Sequence, residues 1–332
     1  MRQRLLILLA LSVLSGCARK GPMDLSEGCA SGKDVPKTVQ SALESAAQEF
    51  YQRAGRNDWS GIYEHAAEAA KKQVSRQDFY APLTRIFREL GVPSNAETQS
   101  ITVVKFGEKF KYVRKVACGD PNQPLNVIVS DTPLQASLVQ LVPVGPEHFY
   151  FSTLWYGEEG QWRLAALFAK PATLQGRDWR SFQQQAQAED KAGNKRNAAL
   201  LYNAAIDLVL PNAWTEPPDV KDLEREQSRI SVSDLPKQNA AVAWYVAPDS
   251  IRVHSIAYSA VQNDLVLVVS YETLAALADT VAQMRDANRL RAYINQNFPE
   301  YEKVFPLLAV EAFDPAHPEQ RWSKVGPLRP PS

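Results

Sequence analysis

The sequence predicts an α+β protein: an antiparallel sheet with N-terminal helices, then a helical hairpin, then a second small α+β domain. Three observations predict it. Apolar residues recur at helical spacing from residue 38 to 90, β-branched and aromatic runs dominate 101–168, and helix and strand patterns return after residue 178. At 332 residues the chain has room for two or three such units. Its 45% hydrophobic and 22% charged residues exclude a disordered, collagenous or many-span membrane protein. Lys plus Arg equals Asp plus Glu at 37 each, so no bulk charge recruits nucleic acid or acidic lipid.

The N-terminus is an address. Arg2 and Arg4 precede a Leu-dominated run from Leu5 to Leu14. That run is about half of the roughly 20 apolar residues needed to span a bilayer, so it reads as a signal-peptide core. The following Leu14-Ser15-Gly16-Cys17 resembles the lipobox of bacterial lipoproteins. The resemblance implies cleavage before Cys17, a diacylglyceryl thioether on its sulfur and an N-acyl chain. Two acyl chains already anchor stably, so a triacylated Cys17 holds the chain to a membrane. Ala18 stands where an aspartate would resemble an inner-membrane retention signal, which implies the outer membrane, facing the periplasm. Removal of Arg2 and Arg4 leaves 35 basic against 37 acidic residues, a net of −2.

Beyond Cys17, two cysteines remain, Cys29 and Cys118, an even pair in an oxidising compartment. A bridge between them closes a loop of about 90 residues, worth roughly 4 kcal/mol in the chain-entropy model. The alternative is two free thiols.

The elements follow in order. Residues 1–16 are the signal peptide and 17–36 the lipidated tether, rich in Gly and Pro. The first domain spans 37–175. Val39, Leu43, Ala46, Phe50 and Ala54 form one helical stripe, broken at Gly55 and Asn57. A second helix carries Trp59, Ile62, Tyr63, Ala66 and Ala70. Ser75 and Asp78 form a capping box for a third, with Phe79, Leu83, Ile86 and Leu90, ended by Gly91 and Pro93. Strands are expected over 101–106, 110–117, 125–129, 138–144, 149–156 and 162–168, with a hairpin turn at Gly157-Glu158-Glu159-Gly160. This order resembles the nuclear transport factor-like and cystatin-like α+β domains of exported bacterial proteins. The resemblance implies a curved sheet around a helix, with a cone that can hold a ligand.

Residues 176–212 read as a helical hairpin. Phe182, Ala186, Gly193, Ala198, Tyr202 and Ala205 resemble one tetratricopeptide repeat, with Gln185 and Glu189 where that repeat takes large apolar groups. Pro211, Pro217, Pro218 and the charged run after them mark a linker over 213–229. The second domain spans 230–325. Its strands are expected at 241–246, 251–261, 265–271 and 304–313, with a turn at Gln262-Asn263-Asp264. The all-apolar Leu265–Val269 reads as a central strand. A helix over 279–297 carries a stripe of Val281, Met284, Leu290, Ile294 and Phe298. The tail, 326–332, is extended.

No GxSxG, HExxH, P-loop, CxxC or Rossmann pattern occurs. His65, His148, His254 and His317 lie far apart, so neither a metal site nor a resident cofactor is expected. Three constellations remain. Asp58, Tyr63, His65 and Asp131 are candidates for acid/base work in a cone, but Tyr63 and His65 point about 200° apart on a helix. Lys105, Lys109, Lys111, Arg114 and Lys115 outnumber Glu108, a net of +4. They read either as a patch for phosphates or an acidic partner or as a solvated strand face. Phe149, Phe151 and Trp155, opposite Trp162, are either ordinary core or the lining of a site for an apolar or sugar-like ligand.

The expectation is a lipid-anchored, periplasm-facing envelope protein that binds an envelope protein partner, with no catalysis. The alternative is a small-apolar-ligand binding protein or acid/base enzyme using a pocket in the first domain.

Overall fold

The computed structural model describes residues 27–106, 114–122, 124–129, 132–232, 236, 241–261 and 264–329, and the fold is α+β. The first element is a strand inside the expected tether, β1 (Gly28–Ser31). Four helices follow: α1 (Lys37–Gly55), α2 (Trp59–Glu64), α3 (Glu68–Gln73) and α4 (Arg76–Leu90). Val39, Leu43, Phe50 and Ala54 bury the expected stripe of α1. The Ser75 hydroxyl accepts the Asp78 amide at the start of α4, and Gly91 ends it at φ 78°. The single helix expected over 59–70 is instead two. Ala66 and Ala67 are buried at the break, and the Ala67 amide donates to the Leu164 carbonyl at 2.8 Å. Docking on a strand outcompetes continuation of the helix.

The first sheet orders as β1, β2 (Glu97–Lys105), β5 (Leu134–Val144), β6 (Glu147–Glu158) and β7 (Gln161–Pro171), antiparallel throughout. Between β2 and β5 the hairpin β3 (Arg114–Cys118) and β4 (Leu125–Val129) leaves this sheet. It pairs with β8 (Thr215–Glu216) in a small sheet of three. The β6–β7 turn takes positive φ at Glu159 (51°) and Gly160 (75°), the pairing that two-residue hairpins need.

The expected linker over 213–229 is not a linker. It holds β8 and α7 (Pro218–Ser228), whose first turn accepts Pro218 because helix-start amides need no partner. The helix packs against the hairpin of α5 (Trp179–Lys191) and α6 (Lys195–Val209). Tyr202 and the Gln183 and Gln187 amides donate to the Glu226 carboxylate. Burial alone would raise that carboxyl, but these donors outweigh it and hold it below its ordinary range. Glu189, out of place for an apolar position, accepts from Asn194 and the fully buried Asn197.

The last unit is a five-stranded sheet ordered β13 (His317–Pro327), β12 (Leu307–Asp314), β11 (Asp264–Glu272), β10 (Asp249–Val261), β9 (Val242–Val246). β11 is central, as its apolar run predicts. It runs parallel to β12 through α8 (Thr280–Asn297), the one parallel pairing among the named strands of the described sheets. β13 was not expected, and Leu328 in the expected tail is buried, its amide on the Pro306 carbonyl. The Gln262-Asn263 turn lies outside the described residues. One hydrophobic core joins Phe182, Leu201 and Leu208 of the hairpin to Trp244, Leu267, Leu290 and Val310 of this sheet.

The stripe of α8 holds at Leu290, Ile294 and Phe298, which are buried, and departs from expectation only in the first turns. Val281 is 79% exposed, whereas Gln283 is fully buried. The Gln283 amide accepts from the Tyr271 hydroxyl and donates to the Thr273 hydroxyl and the Ala276 carbonyl, bracing the turn into the helix. Hydrogen bonding there decides over hydropathy, because each buried polar group left alone costs about 1–3 kcal/mol. Gln283→Leu is therefore expected to destabilise the protein by about 2–3 kcal/mol in urea unfolding.

Four tyrosines give the fold an alkaline limit. Burial pushes the phenols of Tyr51, Tyr202, Tyr258 and Tyr271 well above their ordinary value, and Glu226 and Asp207 add to the effect on Tyr202 and Tyr258. A raised folded pKa keeps its stabilisation below the unfolded value, near 10, and loses it as pH rises further. The Tm is expected to hold to about pH 9.5 and fall steeply above 10, less steeply in Tyr258→Phe.

Candidate functional site

Two features bear on function: the covalent staple at the N-terminal strand and a cleft beside α1. The staple is a Cys29–Cys118 disulfide with Cα atoms 5.3 Å apart. Cys29 pairs with Val104 across the β1–β2 ladder, and Cys118 ends β3, so the bond ties the first sheet to the small one. Val104, Cys118, Val127 and Val129 form a separate cluster around it. Gly119 follows at φ +80°, a backbone conformation that favours glycine, and a Cβ there would also press on the Ser31 hydroxyl at 2.8 Å. Cys17 lies outside the described residues.

The basic constellation is divided. Lys109 and Lys111 lie outside the described residues. Lys105 ends β2 opposite Gly28. Lys115 donates to the Glu216 carboxylate at 2.6 Å, joining β3 to β8. That bond, with help from Asn126, holds the Glu216 carboxyl below its ordinary range. The Lys115 charge therefore serves an internal contact.

The aromatic constellation splits into core and rim. Phe151 is fully buried, its ring 6.4 Å from Tyr51 and 6.3 Å from Phe87 on the helices above. Phe149 packs against the same core. The opposite face of β6 is covered too: the Ser152 hydroxyl donates to the Pro211 carbonyl, and the Trp214 indole to Ser137. Phe149 and Phe151 thus belong to ordinary packing and do not line the cleft at Trp155 and Trp162.

Trp155 and Trp162 do line a cleft, of about 490 Å³, between α1 and the end of the β6–β7 hairpin. Ala42 and Ala46, one helical turn apart, leave the space above Phe50 and Ile62. This small-residue spacing is the signal in the sequence that points to it. Around the rim stand Arg53, His65 and Arg163. Arg53 is engaged by Glu49 at 2.8 Å and Asp58 at 3.1 Å, and the Glu49 contact leads in raising its pKa. Asp58 also accepts the Gly61 amide, capping α2. His65 Nδ1 contacts the Gly61 carbonyl, while Tyr63 packs on Phe79 and Tyr80 under the Arg76 guanidinium. The Tyr63 and His65 side chains diverge, as their spacing predicts, and Asp131 lies outside the described residues. Among the described residues no group of three or more His, Cys, Asp or Glu could hold a metal ion. No helix among them is long and apolar enough to cross a membrane.

Chemically, the cleft offers two indoles, a phenyl ring and small aliphatics as an apolar bed, bordered by the Arg53–Glu49 ion pair, Arg163 and the His65 imidazole. This arrangement can hold a small ligand mainly by apolar contact. No protein-family model matches the chain, and no curated protein or solved structure is significantly similar to it, so its functional reading rests on its own residues.

Proposed function

We propose that this chain is a lipid-anchored protein of the bacterial envelope, lodged in the outer membrane and facing the periplasm, that binds another envelope protein and performs no catalysis. The observation that carries the reading is the Cys29–Cys118 bond, twelve residues after the lipobox cysteine. Disulfides persist in oxidising compartments, so the bond and the export signal agree. The filled interior of the first module favours contact through outer surfaces. Leu274, fully exposed on the turn braced by Gln283, and Val281, exposed at the start of α8, are apolar groups available to a partner.

The test is native mass spectrometry of full-length protein extracted from the envelope in mild detergent. A triacylated chain carrying a second protein at fixed ratio supports the reading. A chain without acyl mass removes the address, and a lipidated chain recovered alone at every detergent strength removes the partner.

The second reading is a small-ligand binder, favoured by the cleft at Trp155 and Trp162. It predicts a retained small mass on the purified chain and a change in tryptophan emission on its release. Trp162→Phe should reduce that change; an unaltered signal sinks this reading.

A further inference from the structure

We propose that the Cys29–Cys118 bond sets how far the folded body stands from the bilayer, and that a dithiol reductant lengthens the tether by opening it. The proposal deepens the reading of Cys17 as the lipidated residue and rests on it. With the bond closed, ten residues, 18–27, separate Cys17 from β1. Eleven residue steps reach at most about 40 Å, which bounds the standoff however the tether is arranged.

Besides the bond, β1 is held by a four-residue edge ladder to β2 and by the partly buried Ala30 against the helical core. The strand has four residues, pairs only along Thr102–Lys105, and buries none of its side chains fully. So short an edge pairing, with no fully buried side chain, is weak on its own. The 3₁₀ turn that follows, Gly32–Asp34, is exposed. The Gln40 amide donates to the Gly32 carbonyl at 3.2 Å on the exposed surface, and the first buried anchor is Val35, 1% exposed in the helical core, whose carbonyl accepts the same amide at 2.8 Å. On the far side of the bond Cys118 is buried, 3% exposed, so the disulfide fastens β1 to a rigid partner. Releasing β1 moves the attachment from Gly28 to Val35, seven residues and about 25 Å of added reach.

The chemistry balances as thiol–disulfide exchange. A thiolate of the dithiol attacks Sγ of Cys29, the half-buried and more accessible sulfur, and Cys118 leaves as a thiolate that takes a proton. The second thiol of the reductant then attacks the mixed disulfide, closing its own bond and releasing Cys29. Two electrons pass from the reductant to the protein, and a dithiol is oxidised to a disulfide.

The experiment uses full-length lipidated protein on a supported bilayer of phosphatidylethanolamine and phosphatidylglycerol, with dithiothreitol as the reductant. Hydrogen exchange reads β1, and neutron reflectometry reads the height of the protein layer. Reduction is expected to free the amides of 28–34 to exchange with the protein still folded, roughly tenfold or more faster, while α1 loses protection only as far as global stability falls and stays much the slower of the two. The protein layer is expected to move outward by up to about 25 Å. Cys29→Ser should give both effects without reductant. Unchanged exchange at 28–34 after reduction overturns the proposal, as does exchange of α1 at the same rate as β1, which would make the bond a staple of the whole module. Faster exchange at β1 with an unmoved layer also overturns it. A chain that carries no acyl mass instead defeats the lipidation reading, and the standoff claim with it; the exchange result on β1 then still reports on the clamp.

Discussion

Replacing Phe151 with alanine is expected to destabilise the protein by about 3–5 kcal/mol, measured as a shift of the urea midpoint at unchanged slope. The ring is fully buried on the face of β6 beneath the helices. It touches Tyr51 and Phe87, and Phe87 in turn packs on Phe50 at 5.7 Å and stacks with Trp59 at 6.1 Å. Removing it deletes the transfer energy of a phenyl group. It also leaves a void that rings fixed on two helices cannot close, because interiors are packed like crystals. Phe151→Leu keeps most of the volume and should cost much less, about 1.5 kcal/mol or under. The pair of variants distinguishes a packed interior from a ligand cone. If the ring lined an open pocket, Phe151→Ala would change stability by about 0.5 kcal/mol or less.

Replacing both Cys29 and Cys118 with serine is expected to lower the unfolding free energy by about 4 kcal/mol, with dithiothreitol on the native protein giving the same loss. The two residues are 89 apart in sequence, so the open chain gains the freedom of a long loop when unfolded. Urea unfolding of the oxidised, reduced and double-serine proteins measures the difference. A loss below about 1 kcal/mol would mean that the unfolded chain already holds these segments close, contrary to the entropic account. The same samples connect stability to reach: global unfolding reports the loop, whereas exchange at 28–34 reports β1 alone.

Much of the fold was legible because it is locally encoded. The stripe of α1, the capping of α4 by Ser75, the Glu159-Gly160 turn and the all-apolar run of β11 each depend on neighbours a few residues away. Parity of the cysteines pointed to the bridge, since only two remain after Cys17. Of the candidate site residues, Trp155 and Trp162 were legible as aromatics facing a sheet, but their separation from Phe149 and Phe151 was not. Alternation along a strand reports which face a residue takes. It does not report whether that face is filled.

The sequence by itself determined an α+β vocabulary and the positions of most helices and strands, because periodicity and capping act within one or two turns of chain. Tertiary structure alone decided the rest, and in each case the cause is a partner distant in sequence. β1 exists because β2 offers it a ladder and Cys118 a covalent hold. α7 looked like a boundary, since Pro217 and Pro218 punctuate it and its surface is charged. It is part of the body because Val220 and Leu223 meet the core shared by the hairpin and the last sheet. The β3–β4 hairpin left the first sheet because β8, some ninety residues on, supplied the third strand of another. Gln283 went inward, against hydropathy, because Tyr271 and the turn at 273–276 needed its hydrogen bonds. Local pattern fixes what an element is; pairing and burial between distant segments fix whether it is kept and where it points.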